Sequence, residues 1–227
     1  MLIQKKFIRF ASICCFLSVI TTLGIHAYFP DPPPSFEERV LLFRNTIYLV
    51  NRWWVIIHCL LVIAAMWGFA LLQFKKAPGF SGLGFLFFCV FAIAEIARQM
   101  FVLFYMNGLR EQYVSATDPV VREGIKATLT YAPLLTAPLF GLFIMAFGLG
   151  GLCYGISLWD SKGFSKWIAV MMLISGITSL IFLGNNFWRN ESLEKFIEKY
   201  NLVFTPLLRL LTGVWLWKQA NTLLKAG

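Results

Sequence analysis

The sequence predicts an all-α membrane protein, a polytopic bundle of about six transmembrane helices with short amphipathic helices in its outer loops. Its composition is the first reason, because 59% of the 227 residues are hydrophobic and only 14% are charged. A water-soluble domain carries about 25% charged residues, so this chain has too little polar surface to face water on all sides. The other two reasons are a series of long apolar stretches and an alternation of charge between the loops that separate them.

Six apolar stretches approach or exceed the length of about 20 helical residues that crosses the hydrocarbon core. The first has a basic start but is longer than the apolar region of a signal peptide, so we expect a retained helix. The last is the shortest and contains Pro206 and Arg209. Together they form one membrane domain over residues 1–227. The stretches are 10–29, 53–74, 80–106, 131–159, 167–184 and 202–217.

The loops alternate in charge, and this alternation predicts the orientation of the chain. The two termini and two of the loops contain nine basic residues and one acid, whereas the other three loops contain nine of each. Because basic residues concentrate on the cytoplasmic side, we predict that both termini are cytoplasmic. The net charge of +9 therefore reflects topology and does not indicate nucleic-acid binding. The basic residues of the lysine-rich side are Lys5, Lys6, Arg9, Lys75, Lys76, Lys162, Lys166, Lys218 and Lys225.

Three helix-start signals lie in the loops of the opposite, outer side. Ser35 begins a Ser-Phe-Glu-Glu capping box, and Asp118 precedes a proline ahead of the fourth apolar stretch. Asn190 or Ser192 is expected to begin a helix over 193–200. Each of the three segments mixes apolar and charged residues, which is typical of helices that lie on a membrane surface.

Three charged side chains fall inside the apolar stretches, where each costs about 2.5–3.5 kcal/mol to insert and is a functional candidate. Glu95 and Arg98 are three residues apart, and counting about 1.5 Å per residue places Arg209 at a similar depth. We expect a buried cluster of these three, with Gln99 and His58 nearby. Its spare guanidinium would bind the headgroup or carboxylate of an amphipathic anion from the outer leaflet. The alternative is a structural clamp between the third and sixth stretches.

A second set of polar side chains falls at the outer ends of the fourth and fifth stretches. These residues are candidates for the rim of an outward-facing cavity, and capping of the helix ends is the alternative. They are Tyr131, Asn185, Asn186 and Arg189.

The sequence predicts no cofactor, no metal site and no catalytic residue. His26 and His58 lie on consecutive predicted helices, which suggests a bis-histidine b-type haem. Their depths differ by about 5 Å at 1.5 Å per residue, and this mismatch disfavours haem. Zinc-protease, Walker, nucleophile-elbow and dinucleotide motifs are absent from the sequence.

The order of elements is a basic first helix, an outer helical loop, a long pair of helices and a second outer loop that ends in Asp-Pro. A glycine-rich helix from Gly141 to Gly155, a Ser161–Trp167 turn and an apolar helix follow. Gly151-x-x-x-Gly155 predicts close helix packing within this region. The order resembles a family of uncharacterised six-helix bacterial membrane proteins, classified as a domain of unknown function. The resemblance implies a six-helix topology in the bacterial inner membrane and implies no activity.

Three functions stay open on this evidence. The leading expectation is a non-enzymatic accessory or binding protein that docks on other subunits of a membrane complex, since the chain has no catalytic motif. The second is a carrier or receptor for a lipid or another amphipathic anion. The third is a membrane enzyme that acts on lipid, with Glu95 as its acid or base.

Overall fold

The computed structural model describes residues 2–27 and 33–225, and all regular structure within these ranges is helical. A 3-10 helix, Leu41–Arg44, follows the second α-helix, and a π-helical segment, Phe101–Met106, joins the fourth to the fifth. The α-helices are α1 (Leu2–Ala27), α2 (Phe36–Val40), α3 (Thr46–Gln73), α4 (Pro78–Met100), α5 (Asn107–Ser115), α6 (Pro119–Ser157), α7 (Phe164–Trp188) and α8 (Glu191–Lys225).

The prediction of an all-α chain with long apolar helices is confirmed, and within residues 2–27 and 33–225 five segments are long and apolar enough to cross a membrane. They match the first five predicted stretches, although residues 28 and 29 of the first lie outside the described residues. The sixth stretch lies in α8, which is long enough at 35 residues but less apolar, because Arg209 and charged ends lower its hydropathy. The five segments are Lys5–Ile25, Thr46–Gln73, Pro78–Ser115, Pro119–Ser157 and Phe164–Asn185.

The long helices form a closed ring around a central axis. Helix α1 packs on α3, α3 on α4, α4 on α6, α6 on α7, α7 on α8, and α8 on α1 again. Neighbouring helices are antiparallel, because the turns between them alternate between the two ends of the ring. We call the end with the α3–α4 and α6–α7 turns the lysine-rich end, and the end with the α5–α6 and α7–α8 turns the polar-loop end.

The three predicted helix starts are observed, but two of them begin longer helices than predicted. Ser35 caps α2 as predicted, since its hydroxyl accepts a hydrogen bond from Glu38 N at 3.2 Å. Asp118 caps α6 and the Asn190 side chain accepts from Leu193 N, but both helices then continue into the bundle. The segments predicted as separate surface helices before the fourth and sixth stretches are thus first turns of α6 and α8. A continuous helix keeps its backbone groups bonded where a break would leave them unpaired in an apolar surrounding.

Aromatic side chains fill the axis near the lysine-rich end. Phe69, Tyr154 and Trp215 come from α3, α6 and α8 and are at most 2% exposed. The Phe69 ring lies 4.4 Å from the Tyr154 ring and 4.9 Å from the Trp215 ring, between centroids. The Tyr154 hydroxyl donates a 2.8 Å hydrogen bond to Met66 O. We call these three side chains the aromatic plug. They come from helices that are not neighbours in the ring, so they meet across its axis and close it at that end.

Candidate functional site

Between the aromatic plug and the polar-loop end, the ring encloses a cavity of about 410 Å³. All of the ring helices contribute to its lining, and the lining residues nearest the polar-loop end, including Arg98, Phe140 and Asn201, are partly exposed. The cavity therefore opens toward that end. Its wall is mainly aromatic, and the phenylalanines that line it are Phe91, Phe140, Phe143, Phe147 and Phe182.

Arg209 lies at the floor of the cavity and is 8% exposed. Its Nη1 is 2.8 Å from His58 Nε2, and a guanidinium has only donors, so the imidazole must accept with this nitrogen. His58 is then neutral, with its hydrogen on Nδ1, from which it donates to Thr21 Oγ1 at 2.6 Å. Among the described residues no carboxylate lies within 4 Å of Arg209. The floor therefore holds a buried cation whose partner is a neutral ring.

Glu95 forms a separate cluster on the wall of the same cavity. It is 3% exposed, and its two oxygens accept hydrogen bonds from Arg98 Nε and Nη2 at 2.9 and 2.7 Å. Gln99 Nε2 donates to Glu95 Oε1 at 2.6 Å, and Arg52 Nη1 donates to Gln99 Oε1 at 3.2 Å. This carboxylate is thus paired in two-point fashion with Arg98, as its position three residues earlier on the helix permits.

The residues predicted as one cluster are therefore present as two groups that face one cavity. Glu95, Arg98, His58 and Arg209 all line it, whereas Gln99 supports Glu95 from behind. Charge compensation is uneven, because Arg98 is paired with the acid and Arg209 is not. The spare guanidinium of the sequence prediction is Arg209.

Sequence reasoning missed two residues that position these groups. Arg52 lies just before the predicted apolar stretch 53–74, yet in the structure it belongs to α3 and bonds Gln99. Cys59 lines the cavity and is seven residues beyond Arg52. Residues seven apart lie on the same face of a helix, so this spacing could have indicated that Arg52 points toward the bundle interior. Thr21 accepts from His58, and no pattern distinguishes it from the other hydroxyls of α1.

The predicted rim residues lie elsewhere in the structure. The Asn185 side chain donates to Asn190 O and accepts from Asn190 N, both at 3.1 Å, so it closes the α7–α8 turn. Arg189 ends α7 with a left-handed backbone at φ 50°, and Tyr131 is 65% exposed. None of these three is part of the cavity lining. The side chains of Asn186 and His26 lie outside the described residues.

A second void of about 20 Å³ continues from the floor toward the aromatic plug. Arg209 and Thr205 line both spaces, whereas Ser18, Ser175 and Thr212 line only the smaller one. A space of this size holds about one water molecule. Arg209 thus marks the boundary between a cavity with room for a ligand and a nearly closed interior.

No protein family model, no curated protein and no solved structure matches this chain. The chemistry of the cavity is therefore the basis for the function that follows.

Proposed function

We propose that this protein crosses the membrane six times and binds an amphipathic anion in its central cavity. The sixth span is α8, which accompanies the apolar helix α7 from end to end. Asn190 bonds Asn185 at the polar-loop end, and Trp215 Nε1 donates to Ser165 Oγ at 2.9 Å at the lysine-rich end. A helix that follows a membrane span over this length has to cross the same apolar layer.

The lysine-rich end supports a cytoplasmic location for both termini, according to the rule that basic residues stay inside. In a bacterial inner membrane the cavity then opens on the outer face, and the aromatic plug closes it toward the cytoplasm. A ligand would reach Arg209 from outside.

The observation that carries the anion-binding proposal is the Arg209 guanidinium at the cavity floor. An ionised group in a low-dielectric interior is costly unless an opposite charge compensates it, and a neutral imidazole carries none. The adjacent cavity provides the space for that charge, and guanidinium binds carboxylate or phosphate in two-point fashion. The phenylalanine wall and a volume within the usual 300–1,000 Å³ range of small-molecule sites favour a ligand with an apolar body.

The same geometry favours binding over the two other functions expected from the sequence. An accessory subunit that docks through its surface needs no cation inside its own ring. An enzyme with Glu95 as acid or base would present this carboxylate to its substrate, whereas here both oxygens face Arg98 and Gln99 and accept hydrogen bonds from them.

The proposal predicts that Arg209→Gln weakens binding of dodecanoate and dodecyl phosphate by about 10- to 100-fold, since a hydrogen bond to a charged group contributes about 1.5–3 kcal/mol. Binding is measured by native mass spectrometry of the purified protein in a non-ionic detergent. The matched control is Arg110→Gln, which removes another arginine that is 8% exposed. Arg110 bonds Tyr48 and Asn107 outside the cavity, so this variant is expected to bind like the wild type.

Equal binding by Arg209→Gln and the wild type would contradict the proposal. If Arg209→Gln does not fold, Arg209→Lys provides the test, because lysine keeps the charge and loses the planar two-point geometry. We expect Arg209→Lys to bind with intermediate affinity, and wild-type affinity in this variant would count against a guanidinium-specific contact.

A further inference from the structure

We infer that the anion binds with its charged head at the cavity floor and its apolar body toward the mouth, which makes the ligand a single-chain organic monoanion. This inference rests on the proposed function and adds the ligand class and its orientation. The shared chemistry is one head with a single negative charge, a carboxylate or a phosphodiester, on one hydrocarbon body, since a phosphate monoester carries nearly two charges at pH 7.

The Arg209 guanidinium lies at the deep end of the cavity. Helix α8 begins at the polar-loop end and contributes Asn201, Thr205 and Arg209 to the lining. Arg209 is eight residues beyond Asn201, which is about 12 Å along a helix. Arg209 also lines the small void beyond the cavity, so it is the deepest lining residue on this helix. Because side chains tilt toward the start of their helix, the guanidinium points back into the cavity.

The charged side chains of the cavity lining do not balance. The cavity lining contains one acid and two arginines, and the His58 ring is neutral in its bond with Arg209. Glu95 engages Arg98 through both oxygens, which compensates the arginine nearer the mouth. Among the residues that line the cavity, the Arg209 charge at the floor then remains uncompensated, whereas Arg52 lies behind Gln99 and is not part of the lining. A ligand with one negative charge balances the cavity, and its charged atoms must reach the floor to do so.

The wall of the cavity near its mouth is apolar. Ile25, Val55, Phe140 and Phe182 line the part of the cavity nearer the polar-loop end. An apolar body fits there once the head is at Arg209. A two-chain phospholipid that kept its headgroup at the membrane surface would instead bring its chains against the buried guanidinium and leave that charge uncompensated.

Photolabelling tests the orientation with two decanoate analogues, one with a diazirine at the terminal carbon and one with a diazirine next to the carboxylate. Each is irradiated with the wild-type protein in detergent, and labelled peptides are mapped by mass spectrometry. We expect the terminal diazirine to label the peptides of Phe140 and Phe182. The analogue labelled next to the head should modify the peptide that contains Thr205 and Leu208. Excess decanoate should suppress both signals at least tenfold.

The outcomes separate the two proposals. Competed labelling in the reverse pattern, or equally at both depths, overturns the head-down orientation and leaves anion binding intact. The absence of competed labelling overturns the proposed function itself. If phosphatidylglycerol suppresses labelling as well as decanoate does, the ligand is not restricted to the single-chain class. If decyltrimethylammonium suppresses labelling as well as decanoate does, the site does not require an anion.

Discussion

A chain of hydrogen bonds across three helices holds the Arg209 side chain. Arg209 of α8 donates to His58 of α3, and His58 donates to Thr21 of α1. The Thr21 hydroxyl then donates to Ser18 O at 3.1 Å, within α1. A long arginine side chain loses much rotamer freedom when it is fixed, and here the surrounding protein fixes it before any ligand binds. Such preorganisation raises the affinity for a ligand, because binding then costs less side-chain conformational entropy.

At the same scale, Glu95→Gln is expected to lower stability and to raise anion affinity. Breaking a fully buried ion pair costs about 3–5 kcal/mol. Because the Arg98 side chain is 30% exposed, we expect a smaller loss of about 1–3 kcal/mol in the free energy of unfolding. The variant also leaves Arg98 without its counter-ion in the cavity wall. Thermal unfolding in detergent and dodecanoate binding measure the two effects.

The control for Glu95→Gln is Glu123→Gln, since Glu123 pairs with Lys126 at 3.8 Å on the exposed surface of α6. Exposed pairs contribute about 0–1 kcal/mol, so neither stability nor binding should change measurably. A loss of stability in Glu95→Gln without a gain in affinity would mean that the Glu95–Arg98 pair is only a clamp, and the charge argument for the cavity would fail.

At the scale of elements, the π-helical segment Phe101–Met106 changes which face of the α4–α5 helix turns inward. A π-turn inserts about one extra residue, which rotates everything after it by about 100°. Asn107 and Arg110 beyond it are at most 9% exposed, and Arg110 Nη1 donates to Tyr48 OH at 3.1 Å. The apolar stretch 80–106 ends where this segment ends. Hydropathy could not reveal the π-turn, because hydropathy depends on residue type and not on the number of residues in each helical turn.

Glycines set the distance between α6 and α7, as the Gly151-x-x-x-Gly155 spacing predicted. A Cβ built on Gly151 would lie 3.1 Å from Met172 O, and one on Gly155 would lie 2.5 Å from Leu173 Cγ. The tightest backbone contact is at Gly176, where a Cβ would lie 2.7 Å from Gly148 O. Because a backbone atom cannot swing aside as a side chain can, a methyl group at this position has to separate the two helices.

We therefore expect Gly176→Ala to destabilise the protein by about 1–3 kcal/mol, the usual cost of overpacking. The matched control is Gly124→Ala in the exposed first turns of α6, where a Cβ meets nothing within 4 Å. In that position alanine should be neutral or stabilise the helix by up to about 1 kcal/mol. Thermal unfolding of both variants in one detergent measures the difference. Equal stability of the two would show that α6 and α7 are not in contact at Gly176.

For the whole molecule, the six-span topology predicts which positions share a side of the membrane. Cysteine is introduced singly at Gly124, Lys162 and Lys218 and labelled with a membrane-impermeant maleimide. Gly124→Cys should react in cells whose outer membrane alone is permeabilised, whereas the two lysine positions should react only after the inner membrane is opened. Background labelling should be low, since four native cysteines are buried and Cys89 is partly buried.

The result at Lys218 decides the role of α8. If Lys218→Cys reacts together with Gly124→Cys, α8 does not cross the membrane and the six-span topology is wrong. If Lys162→Cys and Lys218→Cys react from outside and Gly124→Cys does not, the orientation inferred from the lysine-rich end is wrong, although the number of spans is unaffected.

The sequence by itself determined the helical class, five helices that are long and apolar enough to cross a membrane, and the three charges that fall inside the apolar stretches. Hydropathy and charge are properties of each residue and its near neighbours along the chain, so Glu95, Arg98 and Arg209 stand out without any knowledge of the fold. The Ser35 cap on α2 and the close glycine packing were readable for the same reason.

Only the tertiary structure decided which arginine Glu95 compensates, because that depends on how α8 is placed within the ring. Depth estimates located Arg209 near Glu95, and the fold placed it against His58 instead. The cavity also has no signal in the sequence, since its lining comes from all of the ring helices and exists only once the ring closes. Packing between distant segments determines both features, and no local pattern in the chain records it.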